Sequence, residues 1–180
     1  FFDVHKPFLF YSIPGPFCAA AAGSRFVFHT YSPAPEEILA WGTDGSESGT
    51  EALGIPPGPE GSYRLSCAAL GPRAVLLTSD GLWRSDGRAS GTSVISSLPT
   101  SGIGGGGTFP LFIPFGSELA FGVNGSVFRT TGEEGGTFEV SPLDDFWPSA
   151  LSSSADGRLY FGGNELYVSD GTLETTSQVV

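Results

Sequence analysis

Positive charge is scarce: 8 lysines and arginines stand against 19 acidic residues, for a net charge of −11. Such an acidic surface repels phosphate backbones and anionic headgroups, so neither nucleic acid nor a membrane surface is an expected partner. Long apolar runs are missing too. The longest, Phe8 to Ile13 and Phe17 to Ala22, fall well short of the roughly 18–20 residues a membrane-crossing helix needs, and no direct span is expected. Histidine is limited to His5 and His29, and no Ser or Cys lies in a Gly-x-Ser-x-Gly nucleophile elbow. Methionine is absent, and the chain opens on Phe1-Phe2, which reads as a mature or trimmed chain that has lost upstream residues.

What is plentiful is glycine, with 27 residues, and proline, with 14, alongside 39% hydrophobic and 13% aromatic content. That mixture has too many helix breakers for a helical protein and too much apolar surface for a disordered one. A turn-rich all-β domain satisfies both. At 180 residues it is long enough to bury about 70% of the surface of the unfolded chain.

Self-comparison shows one frame four times, aromatic-x-x-Asp-Gly-x-x-x-Gly-Thr, at Trp41 to Thr50, Trp83 to Thr92, Phe128 to Thr137 and Tyr167 to Thr176. The aromatics are separated by 42, 45 and 39 residues, and the closing threonines keep the same separations, so two anchors move together. Upstream of each lies a short segment of alternating apolar residues, Arg25-Phe-Val-Phe, Arg73-Ala-Val-Leu-Leu, Glu118-Leu-Ala-Phe and Arg158-Leu-Tyr-Phe, whose period of two predicts a strand. Before that comes an inner apolar stretch, and after the turn a short outer run. Each unit therefore reads as four antiparallel strands in about 42 residues, the size of one β-propeller blade. One blade cannot bury both of its faces, so neighbours must stack around an axis.

The expected division is 15–57, 58–99, 100–143 and 144–180 for blades 1 to 4. Shifting the repeat back by 42 residues lays Phe8 to Pro14 over Thr50 to Pro56, so 1–14 reads as the outer strand of a preceding unit or an N-terminal extension. Unit four already has its own outer strand at Thr176 to Val180, so either the chain is part of a larger propeller or one terminus adds to an edge.

In the turn, Asp44, Asp86 and Asp170, with Thr131 in the third repeat, are placed to accept backbone N–H bonds. Gly45, Gly87, Gly132 and Gly171 supply a positive φ. A calcium loop is the rival reading, but it needs six or more oxygen ligands, and one repeat lacks the carboxylate. We therefore expect structural turns, no metal and no cofactor. The aromatics Trp41, Trp83, Phe128 and Tyr167 are expected to pack between blades.

This frame resembles the ELWxxDGTxxGT repeat of bacterial secreted proteins, and its turn is similar to the Asp-box hairpin of sialidase-like propellers; Glu165-Leu-Tyr-Val-Ser-Asp-Gly-Thr is the best match. The resemblance covers residues 16–180, with Gly81 and Ser126 in place of Glu and Thr131 in place of Asp. It implies a propeller and a secreted, periplasmic or cell-envelope setting in a bacterium, and it carries no shared activity. Sialidase chemistry uses clustered arginines, whereas Arg25, Arg73 and Arg158 share one repeat position and read as structural strand starts.

Cys18 and Cys67 each precede Ala-Ala at the same place in consecutive units. A disulfide between adjacent inner strands is geometrically feasible if their Cα atoms come within about 7 Å, and two small buried thiols are the alternative. The carboxylate pairs Glu36-Glu37, Glu133-Glu134 and Asp144-Asp145 raise a glycoside hydrolase fragment, but neighbours on a strand point to opposite faces, so these read as solvated loops. No catalytic residue is assigned. The expected function is non-catalytic: a protein-binding scaffold or accessory subunit of a larger assembly. The alternative is a carbohydrate-binding module using Tyr31, Phe146 or Trp147.

Overall fold

Alternation of apolar and polar residues over short segments, cut by glycine turns, produces strands of two to nine residues. The computed structural model describes residues 18–33, 36–56, 66–78, 80–98, 112–123, 125–141, 150–162 and 165–179. They form four four-stranded antiparallel sheets, each a simple meander. Blade 1 is β1 (Ala19–Ala22), β2 (Arg25–Pro33), β3 (Glu36–Thr43) and β4 (Glu51–Ala52). Blade 2 is β5 (Ser66–Leu70), β6 (Arg73–Thr78), β7 (Gly81–Ser85) and β8 (Ser93–Ser96). Blade 3 is β9 (Phe112–Phe115), β10 (Glu118–Val123), β11 (Ser126–Thr130) and β12 (Thr137–Ser141). Blade 4 is β13 (Ala150–Ser153), β14 (Leu159–Gly162), β15 (Leu166–Ser169) and β16 (Ser177–Gln178). Helical structure among the described residues is limited to single 3-10 turns at Ala89–Gly91 and Leu173–Thr175.

The strands of each blade put alternate residues on two faces, and three apolar seams join consecutive blades. In the first, Val27, Ala40 and Leu53 of blade 1 meet Ala74 and Leu76 of blade 2. In the second, Val75, Leu82 and Ile95 meet Leu119 and Phe121. In the third, Ala120, Val127 and Val140 meet Leu159 and Phe161. The same repeat columns supply each side: one set faces the next blade, the other faces the blade before. The fold is therefore all-β, four blades of a β-propeller. Among the described residues no apolar cluster joins blade 4 to blade 1.

One element is longer than its sequence pattern predicts. β2 and β3 stay paired from Phe26↔Thr43 out to Pro33↔Glu36. Glu36 and Glu37 thus begin a strand instead of lying in a solvated loop, because the ladder extends past the apolar alternation that marks its buried half. Residues 1–17, which include His5 and the expected outer strand at 8–14, lie outside the described residues, as do Asp144, Asp145, Phe146 and Trp147.

Candidate functional site: the repeated turns and the faces they join

All four glycines of the Asp-Gly step have positive φ: 93° at Gly45, 85° at Gly87, 76° at Gly132 and 99° at Gly171. The preceding carboxylate closes the turn on itself. Asp44 Oδ1 accepts from the Ser46 N–H at 2.9 Å and from its hydroxyl at 2.7 Å, and Asp86 Oδ1 accepts from the Arg88 N–H at 2.9 Å. The hydroxyl of Ser46, its backbone N–H and the nearby Arg25 charge hold the Asp44 carboxyl below the usual carboxylate range. In the third repeat Thr131 Oγ1 takes the carboxylate's place and accepts from the Glu133 N–H at 3.4 Å.

The second glycine of the frame is equally constrained. A Cβ on Gly49 or Gly91 would lie 2.0 or 2.1 Å from the Asp44 or Asp86 carboxylate, and one on Gly136 would lie 2.0 Å from Thr131 Oγ1. Only hydrogen fits there. Repeat four breaks the frame with Thr175, and the Thr175 hydroxyl donates to Asp170 instead.

A further column of turn residues carries no assignment in the sequence reading. The residue before the Asp, or before Thr131 in the third repeat, is Thr43, Ser85, Thr130 or Ser169, and its hydroxyl accepts the glycine N–H at 2.9, 3.0, 3.0 and 3.0 Å respectively. In the first three repeats that hydroxyl also meets the closing threonine, at 2.7 Å for Thr43 and Thr50, 2.7 Å for Ser85 and Thr92, and 3.1 Å for Thr130 and Thr137. The signal was present: a hydroxyl in that column in every repeat.

The turns of blades 2, 3 and 4 are also where each blade is gripped by the blade before it. Arg25, only 4% exposed, donates from Nε to the Gly87 carbonyl at 2.7 Å and from Nη2 to the Gly49 carbonyl at 2.6 Å, with Asp44 and Glu51 carboxylates each 3.6 Å away. Between blades 2 and 3, Arg73 and Arg84 both pair with Glu133. Between blades 3 and 4, Arg129 donates to the Gly171 carbonyl at 2.7 Å, to both Glu118 oxygens at 2.9 and 2.8 Å, and lies 4.7 Å over the Phe138 ring. Arg158, on the outer side of blade 4, is exposed and pairs with Asp156 at 3.7 Å.

Arg25→Met is expected to cost about 2 kcal/mol, since it leaves two carbonyls in the first seam without their donor. A urea midpoint unchanged within error would show that these bonds do not form in solution.

The frame aromatics occupy related but unequal places. Trp83, Phe128 and Tyr167 are half-buried at the edge of the first, second and third seams. The Phe128 and Phe121 rings lie 5.7 Å apart, and those of Tyr167 and Phe161 5.9 Å apart, both stacked. Trp83 Nε1 is buried and finds no acceptor among the described residues, whereas Trp41 Nε1 donates to Thr30 at 2.9 Å. Trp41 lies on the face of blade 1 that points away from blade 2.

Cys18 and Cys67 are joined as a disulfide, with Cα atoms 5.5 Å apart, linking the inner edges of blades 1 and 2. Beside it, the Cys18 N–H donates to Nδ1 of His29 at 3.0 Å. Burial pushes the His29 imidazole below its ordinary value of 6.5. Folding thus favours the neutral ring: its contribution is complete above about pH 6.5 and is lost as pH falls towards the lower folded value. The lowered carboxylates, Asp44 and Asp156, act only at more acid pH, because their contributions persist until pH falls below the usual carboxylate range. The melting temperature is expected to hold between about pH 8 and 7 and to fall between about 6.5 and 5, a decline that His29→Gln flattens. A scanning fluorimetry series over that range measures it; an equal slope in wild type and variant removes His29 as the cause.

Glu133 and Glu134 sit in the exposed turn of blade 3, Glu133 committed to the two arginines. Among the described residues no group of three or more His, Cys, Asp or Glu side chains converges as metal ligands, and no helix is long and apolar enough to cross a membrane. Of the aromatics considered for sugar stacking, Tyr31 lies in β2 with its side chain outside the described residues.

No protein-family model and no curated protein matches the chain. Solved structures do. The chain is similar to the extracellular domain of BT4673 from B. thetaiotaomicron, with a TM-score of 0.58 at 14% identity over 91% of this chain and 22% of that one. It is also similar to a puromycin-hydrolyzing peptidase of Mycobacterium tuberculosis, with a TM-score of 0.54 at 16% identity over 92% of this chain and 31% of that one. Streptogramin B lyase aligns with a TM-score of 0.50 at 14% identity, over 93% of this chain and 55% of the lyase. The likeness is one of fold. The chain spans from about a fifth to just over half the length of these proteins.

Proposed function

We propose that the chain is a non-catalytic propeller segment of a bacterial secreted, periplasmic or cell-envelope protein, working as a protein-binding scaffold or accessory subunit in a larger assembly. The observation that carries this reading is the aromatic face of blade 1, where, among the described residues, Phe26 is 58% exposed beside Phe28 and Trp41. A large aromatic surface of that kind on a soluble β-sheet marks a contact site. Three further observations support it. The Cys18–Cys67 disulfide belongs to an oxidising compartment. The carboxylates of the repeated motif are engaged within their own turns, as at Asp44 and Asp86. The strongly acidic chain also favours a protein over a nucleic acid as its partner.

The test is a photo-reactive phenylalanine analogue at position 26 in the protein produced by its own cells and irradiated there. A discrete cross-linked protein species, lost when the analogue is moved to the exposed position 94, supports the scaffold reading. Equal, diffuse labelling from both positions counts against it.

A further inference from the structure

The rim of the third seam carries an apolar pair that the other two seams lack. Ten residues after its frame aromatic, each of blades 1 to 3 has an outer-strand residue, Glu51, Ser93 or Phe138. Six residues after the aromatic, the turn of the following blade has Ala89, Glu134 or Leu173. These two columns meet in the first seam, where the Ala89 N–H donates to a Glu51 carboxylate oxygen at 3.1 Å. The second seam has Ser93 and Glu134 there, again polar. The third has Phe138 and Leu173, each 45% exposed. The 3-10 turn Leu173–Thr175 lies against β12, and the Thr176 hydroxyl ties it there by donating to the Val140 carbonyl at 2.7 Å.

The exposure comes from the position within the blade. Ala89 and Glu134 are exposed although their blades have neighbours on both sides, and Phe138 is exposed with blade 4 stacked in front of it. The Phe138 ring is held as a platform, with the Arg129 guanidinium 4.7 Å from its centre.

The surroundings are acidic. Exposed Glu139 follows Phe138, exposed Glu174 follows Leu173, and Asp170 is exposed in the same turn. Residues 100–143 contain one arginine against four acidic residues, and residues 144–180 one against six. Both arginines are engaged, Arg129 with Glu118 and the Gly171 carbonyl, Arg158 with Asp156. An apolar anchor point in a negative field selects a partner that is apolar at one residue and cationic around it.

We propose that the Phe138–Leu173 pair receives an extended basic segment of a partner protein. One apolar side chain of that segment lies against the pair, and its lysines or arginines meet Glu139 and Glu174. The proposal rests on the protein-binding reading above, whose partner it describes chemically, and it is independent of the Phe26 face.

The probe is the end-blocked peptide Lys-Lys-Leu-Lys-Lys, titrated at low salt into the full chain with its disulfide intact and followed by backbone amide chemical shifts. The shifts are expected to concentrate on β12 and on residues 170–176. Exchanging the peptide's leucine for serine should weaken binding about tenfold, the effect of withholding one buried leucine side chain. Leu173→Ser in the protein should do the same, and Glu174→Lys should weaken binding and flatten its salt dependence. Val94→Ser, at an exposed apolar position on blade 2, should leave binding unchanged. Because Leu173 is exposed, the melting temperature of Leu173→Ser should match the wild type, which separates lost binding from lost folding.

Equal affinity for the leucine and serine peptides overturns the proposal, as does equal affinity for Glu-Glu-Leu-Glu-Glu. Wild-type affinity in Leu173→Ser, or no binding at millimolar peptide, overturns it too. If position 26 still cross-links to a discrete protein, the scaffold reading survives that failure. If the leucine peptide binds as described while position 26 captures nothing, the Phe138–Leu173 site stands and the Phe26 contact falls.

Discussion

Phe121→Ala is expected to destabilise the protein by about 3–5 kcal/mol, the usual cost of emptying a large buried aromatic site. Phe121 is fully buried, 5.2 Å from the Phe112 ring and 5.7 Å from that of Phe128, and it packs into the second seam against blade 2. The site is poorly placed to collapse around the loss, because rigid sheets hold it from both sides. Stability in a blade array is close to a sum of blade terms and nearest-neighbour seams. A weakened middle seam should therefore also broaden the transition, as the two halves begin to melt apart. Urea unfolding with the m-value fitted freely measures both effects. The control is Val94→Ala, at an exposed position on the outer strand of blade 2, which should change stability by less than about 0.5 kcal/mol. A loss at Phe121 below about 1 kcal/mol would mean that the second seam is not packed as described.

The second large effect concerns the disulfide. Cys18 and Cys67 are 49 positions apart in sequence, and closing a loop of that size removes denatured-state entropy worth about 4 kcal/mol on the chain-entropy account. Cys18→Ala combined with Cys67→Ala should lower the unfolding free energy by that order, and a reducing agent should reproduce the loss in the wild type but leave the double variant untouched. Non-reducing peptide mapping identifies the bridged pair directly. Wild type and double variant unfolding at the same urea concentration would show that the bridge contributes nothing to the folded state.

How much of this was readable from the chain follows from the range of each interaction. The turns are local: Asp44 bonds Ser46 two residues on, and Gly49 is fixed by a carboxylate five residues behind it. Those constraints recur at each repeat, and the sequence displays them as columns. The period-two strands are visible for the same reason, since one face of each is buried. The grip of Arg25 on Gly87 spans 62 residues and joins two blades, so no local pattern encodes it.

Columns also mislead where environment changes and residue type does not. Arg25, Arg73 and Arg158 share one position, yet the first is buried on two carbonyls, the second meets Glu133 and the third is exposed. Trp41 and Trp83 likewise share a column, but among the described residues only Trp83 has a blade in front of it. The sequence repeats the blade; the number of its neighbours depends on its place in the series. The length of the β2–β3 hairpin is not legible in the sequence, because its outer half, from Tyr31 to Ile38, does not continue the apolar alternation of Arg25 to Phe28.

The covalent bridge holds only the first of the three seams, while the last blade ends in the two-residue strand Ser177–Gln178. The first seam is thus riveted covalently, while the second and third are held by packing, hydrogen bonds and ion pairs. Amide protons of β15, flanked by that two-residue strand, should exchange before those of the buried β6, so that the covalently fastened half of the stack outlasts the half without such a fastening.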